Sequence, residues 1–97
     1  MPEEITCLPE VECLVEPGFL DKHVTVSVAD EKNNRQYLEV PAGSVVAWGG
    51  KSYLPIGIVQ LDYRKKRALI ELPREADSGV RRLWIPFTTF RQETVEA

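Results

Sequence analysis

The sequence predicts an all-β fold, a small single-domain barrel or sandwich of about six to seven short antiparallel strands with little helix. Short apolar runs are separated by turn-forming residues roughly every eight to twelve positions, and the clearest run alternates apolar and polar side chains. No amphipathic helical pattern extends beyond about two turns. Since 97 residues provide one core at most, residues 1–97 are predicted to form a single β domain.

The N-terminal part of the chain predicts one edge strand. Pro2, Pro9 and Pro17 exclude a long helix there, whereas residues 11–16 alternate between two faces and favour a strand. Residues 1–9 and 91–97 are predicted to be mobile termini because no strand or helix pattern reaches them.

The clearest period of two follows the turn at residues 17–18. Val24, Val26 and Val28 alternate with polar residues, which predicts a strand with one core face and one solvated face. Residues 29–34 are polar and rich in asparagine, a residue that tolerates the left-handed region, so we expect a turn that leads into a strand over residues 35–40. These segments predict the first hairpin.

The middle of the chain predicts further strand pairing. An apolar run over residues 44–48 ends at Gly49 and Gly50, a dipeptide typical of a type I′ turn. Residues 53–61 are apolar on both faces, but Pro55 and Gly57 interrupt them and indicate an edge segment, a bulge or a bend. A bend of this kind favours closure into a barrel.

A central hairpin is predicted where residues 53–61 and 68–72 flank a basic turn over residues 62–67. The polar loop that follows has a turn signal at Asp77, Ser78 and Gly79. Residues 80–86 then predict a late strand, and residues 87–90 predict a short 3₁₀ turn that places Phe87 and Phe90 in the core.

Charge is distributed unevenly along the chain. The net charge is −3, but residues 1–16 contain five glutamates and no lysine or arginine, whereas residues 64–82 contain seven basic and three acidic side chains. The two regions are expected to attract, within one molecule or between two. No apolar run is long enough to span a membrane, and the sequence opens with acidic residues where a signal peptide carries basic ones, so we expect a cytoplasmic location without membrane contact.

No residue pattern predicts catalysis, a metal or a cofactor. His23 is predicted to lie on a solvated strand face, and no serine lies in a nucleophile-elbow context. Cys7 and Cys13 lack the spacing of a redox or zinc motif and are expected to be small, partly buried thiols. The acidic residues near Gly79 lack the calcium-loop pattern and are expected to form a turn. Most aromatic residues are expected to fill the core: Tyr37, Tyr53, Trp48, Trp84, Phe87 and Phe90.

The best candidate binding site is basic and lies on two neighbouring predicted strands. Its members are Tyr63, Arg64, Lys65, Lys66, Arg67, Arg81 and Arg82. We expect this patch to bind another protein, which makes the chain a non-enzymatic interaction module. The alternative is a nucleic-acid-binding barrel, because cations beside aromatic rings neutralise phosphates and stack bases. The acidic pI of about 5.2 favours the protein partner.

The order of motifs over residues 54–90 resembles the PRC-barrel family. An apolar strand with Ile56, Gly57, Ile58 and Val59 is followed by Asp62, then by a strand containing Ala-Leu-Ile at residues 68–70, and then by Ile-Pro-Phe at residues 85–87. The resemblance implies a small barrel used for protein contacts, as in photosynthetic reaction centres and ribosome-maturation factors. It implies no catalytic residue.

Overall fold

The computed structural model describes the backbone of residues 3–96 and the side chains of residues 7–93. Within that part of the chain, nine strands and two short 3₁₀ turns occur in the order β1 (Glu3–Pro17), β2 (His23–Ala29), β3 (Arg35–Pro41), a 3₁₀ turn (Ala42–Ser44), β4 (Val46–Trp48), β5 (Lys51–Pro55), β6 (Gly57–Asp62), β7 (Arg67–Glu71), β8 (Arg82–Pro86), a 3₁₀ turn (Phe87–Thr89) and β9 (Phe90–Glu96). The predicted all-β class is confirmed.

The strands form two antiparallel sheets. The first has the order β3-β2-β1-β5-β4, with β9 also paired to β1, and the second has the order β6-β7-β8. Over residues 3–96 these sheets do not close into a barrel. No helix in the same range is long and apolar enough to cross a membrane.

Strand β1 is the central element of the first sheet, so the prediction of an edge strand there is wrong, and it is longer than the sequence indicated. Its residues 14–17 pair with β2, residues 10–13 with β5, and residues 3–7 with β9. Pro9 does not end the strand because the pairing with β9 shifts register between Cys7 and Val11, where the missing amide of proline is tolerated. The mobility of residues 1–9 and 91–97 stays a prediction. The sequence did not indicate that residues 3–7 pair with residues 92–96.

Residues that accept positive φ make the predicted turns. Asn33 has φ of 62° between β2 and β3, and Gly49 and Gly50 have φ of 59° and 80° between β4 and β5. Two consecutive positive values are the signature of a type I′ turn. The predicted first hairpin and the predicted turn at Gly49 and Gly50 are therefore confirmed.

The chain passes from one sheet to the other at Ile56. Pro55 ends β5 in the first sheet and Gly57 begins β6 in the second, which confirms the predicted bend. A second irregularity follows at once, because the β6–β7 pairing shifts register between Ile58 and Gln60. β6 is an edge strand, with β7 as its neighbour.

Apolar side chains from both sheets form one core. Its largest fully buried members are Leu38, Leu54, Ile70, Leu72, Ile85, Val11, Val26 and Val28. Tyr53 and Phe90 are buried as expected, but the expectation is wrong for Tyr37 and Trp48, which are more than two fifths exposed.

The solvated face predicted for β2 is partly buried. Ser27 is enclosed because the Arg35 side chain reaches across the hairpin, and Arg35 Nε donates to Ser27 Oγ at 2.8 Å. The guanidinium also donates to the Ser27 carbonyl at 2.9 Å.

Candidate functional site

The basic turn, residues 63–66, is held at both of its ends. Asp62 Oδ1 accepts a hydrogen bond from the Lys65 amide at 3.1 Å, which closes the turn from within. The Lys66 carbonyl accepts from the Phe87 amide at 2.9 Å, which ties the turn to the 3₁₀ segment before β9. The rings of Tyr63 and Phe87 meet edge to face with centroids 5.8 Å apart. Together these contacts hold the turn in one conformation.

Arg67 closes the base of this turn through contacts within the molecule. Its Nη1 atom lies 2.8 Å from Glu31 Oε1, and its Nε atom lies 3.2 Å from Asp62 Oδ2. The guanidinium also lies 4.1 Å from the ring centre of Trp84. The hydrogen bond that Arg67 donates to Glu31 raises the pKa of Arg67, and the hydrogen bond that the Lys65 amide donates to Asp62 lowers the pKa of Asp62. The contacts of Arg67 therefore stabilise the base of the β6–β7 hairpin.

The other three cations of the turn are free of such contacts. Among the side chains of residues 7–93, no carboxylate forms an ion pair with Arg64, Lys65 or Lys66, and all three are exposed. Tyr63 beside them is 73% exposed. These four residues form the part of the predicted site that faces solvent as one surface.

Arg81 and Arg82 lie at the opposite end of the second sheet. Arg82 is paired with Glu71, whereas the turn adjoins Arg67, so the two sites are four residues or roughly 13 Å apart along β7. The Glu71 carboxylate forms ion pairs with both arginines, with Oε1 at 3.3 Å from Arg81 Nε and Oε2 at 3.6 Å from Arg82 Nη2. The structure divides the predicted patch into two because sequence patterns do not define strand register.

An apolar hollow of about 500 Å³ opens next to the basic turn, and the sequence did not predict it. Its lining residues are Cys7, Ile58, Leu61, Tyr63, Phe87 and Phe90. Ile58 and Leu61 are paired with the buried Ile70 and Ala68, so they belong to the core face of the second sheet. Both remain more than two fifths exposed because the first sheet leaves this part of the face uncovered.

The only available signal for the hollow was Gly57 within an apolar strand, which indicated a bulge. The register shift that follows Gly57 places Ile58 and Leu61, which are three residues apart, on one face. A regular period of two would have placed them on opposite faces.

The side chains considered for chemistry lie apart from one another. His23 Nδ1 lies 3.0 Å from the Asp21 carbonyl. Residues 7–93 contain no group of three histidine, cysteine or carboxylate side chains arranged to hold a metal ion. Burial raises the pKa of the Cys13 thiol to about 11, whereas Cys7 is exposed, contrary to the expectation of two partly buried thiols.

The loop between β7 and β8 forms the predicted turn. Gly79 has φ of 90°, and its amide donates to the Ala76 carbonyl at 2.8 Å. Ser78 Oγ donates to Gln36 Oε1 at 2.6 Å, and the Asp77 amide donates to the Tyr37 carbonyl at 2.7 Å. The loop thereby covers the outer edge of β3.

No family model, curated protein or solved structure matches this chain. The resemblance to PRC-barrels over residues 54–90 stays a prediction. The fold defines the chain as an all-β protein of two antiparallel sheets, and its function has to be argued from its own side chains.

Proposed function

We propose that the protein is a non-enzymatic interaction module that binds an acidic surface of a partner protein through the basic turn. The observation that carries the proposal is the exposed group of Tyr63, Arg64, Lys65 and Lys66 on a fixed turn, with its three cations unpaired among residues 7–93. Tyrosine and arginine are the residues that most often dominate binding energy at protein interfaces.

The rigidity of the turn favours this role. The hydrogen bonds from Lys65 to Asp62 and from Phe87 to Lys66 order the backbone before any partner arrives. A preformed turn loses less conformational entropy on binding than a mobile loop of the same composition. The exposed thiol of Cys7 suits a reducing compartment, so the proposal places the protein in the cytoplasm.

The proposal is tested by reversing charge on the turn. The double variant Arg64→Glu with Lys66→Glu is compared with Lys32→Glu, which changes an exposed lysine in the β2–β3 turn. The tagged proteins are used to recover partners from a lysate of the source cells, and the affinity for each purified partner is then measured. We expect the double variant to lose at least about tenfold in affinity, because several short-range charge contacts change sign, while the control stays within about twofold.

Both variants should melt within about 2 °C of the unchanged protein, since exposed charges add little to stability. Equal affinity of the double variant and the unchanged protein for every recovered partner would reject the basic turn as the binding surface.

One observation supports a second candidate, a binder of single-stranded nucleic acid. The exposed Tyr63 ring next to three cations is the combination that stacks a base and neutralises phosphates. A gel-shift series with a labelled single-stranded oligonucleotide decides the matter. Retardation at about 50 mM salt that weakens steeply as salt rises supports this candidate, and its absence rejects it.

A further inference from the structure

Two strand edges lose their neighbours at the same place in the fold. β1 pairs with β5 over residues 10–13, and the Ile56 amide extends this ladder by donating to the Pro9 carbonyl at 3.0 Å. Beyond Ile56 the chain enters the second sheet, and no described residue of β6 pairs with residues 3–8 of β1. We call the gap between residues 3–8 and β6 the seam.

The edge of β1 that borders the seam is the one that β9 leaves free. Val11 is paired with Leu54 of β5 and also with Phe90 of β9, so β5 and β9 lie on opposite sides of β1. Residues 3–7 pair with β9 along one edge. Within residues 3–96, no strand pairs with the opposite edge of this segment, which is the edge that faces the β5 side. The seam therefore has an open strand edge on each side.

The apolar hollow lies within the seam. Cys7 lines it from β1, and Ile58 and Leu61 line it from β6. Residues 57–61 contain no charged side chain, so this edge lacks the charge that commonly protects an exposed edge, and the register shift between Ile58 and Gln60 is the irregularity it carries. The outer edges of β3 and β8 are each partly covered, because each accepts one backbone hydrogen bond from a loop residue, Asp77 to Tyr37 and Glu31 to Trp84. Within residues 3–96 the outer edge of β6 has no such cover.

Charge at one end of the seam indicates the chemistry of what fills it. β6 runs towards the basic turn, so a strand added antiparallel to β6 begins beside Arg64, Lys65 and Lys66. Antiparallel addition is the commoner mode of strand pairing. Acidic residues at the start of such a strand would meet the three exposed cations of the basic turn, and its alternate apolar side chains would enter the hollow.

We propose that the seam binds an extended peptide segment of a partner protein, which adds a strand antiparallel to β6 with acidic residues at its N-terminal end. This inference rests on the proposed function and specifies the partner's binding element. Main-chain hydrogen bonds to the edge of β6 give affinity, and the hollow and the basic turn select the side chains.

A synthetic peptide provides the first test. The probe is a fluorescein-labelled peptide of two glutamates followed by three valine-threonine repeats, and its binding to the full chain is measured by fluorescence anisotropy. Methylating alternate backbone nitrogens removes hydrogen-bond donors while keeping the side chains. One methylated series blocks the donors that face β6 in the antiparallel alignment, and we expect at least about tenfold weaker binding. Moving the two glutamates to the C-terminal end should weaken binding at least about threefold.

A pair of protein variants provides the second test. Leu61→Lys places a charge at the mouth of the hollow, and we expect at least about tenfold weaker peptide binding. Leu14→Lys is the control, because Leu14 is also an exposed apolar residue of a strand but does not line the hollow. If Leu61→Lys lowers the melting temperature, Ile58→Lys repeats the comparison, because Ile58 also lines the hollow and is 43% exposed.

Cys7 reports on the seam directly. Its exposed thiol lines the hollow, so a bound strand should slow its alkylation at least about tenfold, while the buried Cys13 is unreactive with or without peptide. Amide exchange should slow along β6 in the same complex.

Several results would overturn the inference. The first is that the probe fails to bind at millimolar concentration, and the second is that both methylated series bind as tightly as the unmodified probe. The third is that the protein forms a dimer in sedimentation and the dimer contact protects Cys7. The fourth is that dodecanoate, an apolar chain without peptide groups, protects Cys7 from alkylation whereas the peptide does not. If Leu61→Lys leaves partner capture intact while the charge reversal at Arg64 and Lys66 abolishes it, strand addition is wrong and the proposed function stands. The opposite result rejects the role of the basic turn and with it the predicted acidic end.

Discussion

Ile70→Ala and Ile58→Ala should differ in cost although the two residues face each other across the β6–β7 pair. They are directly paired on the same face of the second sheet, yet Ile70 is 0% exposed and Ile58 is 43% exposed. Each substitution removes three carbon atoms. At about 0.8 kcal/mol for each buried carbon, a fully buried isoleucine loses roughly 2.4 kcal/mol of transfer free energy.

The cavity adds to this cost at Ile70 only. Ile70 is fully buried and pairs with the buried Leu83 of β8, so truncation leaves a void in the core and the total loss should reach about 3–4 kcal/mol. Ile58 is already open to the hollow, so rather more than half of the transfer term applies without a void, and the loss should be about 1.4 kcal/mol. The expected difference is therefore about 2 kcal/mol.

Urea unfolding followed by far-ultraviolet circular dichroism measures both losses, with the slope of the transition checked for two-state behaviour. In thermal unfolding, Ile70→Ala should lower the midpoint by roughly 12–32 °C, since about 1 kcal/mol corresponds to 4–8 °C in a domain of this size. Equal losses at the two positions would refute the reasoning, because they would mean that Ile58 is as enclosed in solution as Ile70.

Three further outcomes are expected. With a maleimide at about pH 8, Cys7 should be labelled in the folded protein and Cys13 only after denaturation, as read by peptide mass spectrometry, because the buried thiol has a raised pKa. Asp62→Asn should destabilise the protein near neutral pH, and the difference in stability should vanish as pH falls below the ordinary carboxyl range. The reason is that the pKa of Asp62 is lowered in the folded protein, so its stabilisation is present above its unfolded pKa and lost below its folded pKa. Urea unfolding across that pH range measures the difference, and a difference that stays constant would contradict the prediction. Gly79→Ala should cost about 1–2 kcal/mol in urea unfolding because the φ of Gly79 is 90°. Gly43→Ala is the control and should be near neutral, because Gly43 also has open space around its Cβ position but has no positive φ. Equal losses of stability in the two variants would contradict the explanation by backbone conformation.

Local patterns predicted much of the fold because short-range chemistry decides it. Gly49 and Gly50 indicated their turn without any tertiary information, and Asn33 did the same for the first hairpin. The break at Ile56 followed from Pro55 and Gly57 on either side of it. In these segments, each residue has few conformations that its own backbone accepts.

Long-range pairing was beyond the reach of the sequence. Residues 3–7 form a strand because of β9, at the other end of the described chain, and nothing in their own pattern indicated that partner. The candidate site divides in the same way. Tyr63 and the next three residues stay together because they are consecutive, whereas Arg82 was separated from them by a register that only the structure defines. The hollow depends on how far the first sheet extends over β6, which is a property of two elements at once.

The pairing of β1 with β9 also has a consequence for the order of folding. Residues 10–17 of β1 have partners in β2 and β5, within the first 55 positions, whereas residues 3–7 pair only with strand residues that lie about ninety positions later in the chain. Pairings of such long range form slowly and late, because a large loop must close before any contact rewards it. During synthesis the two halves of one continuous strand are therefore completed at different times, and the half that borders the seam is completed last.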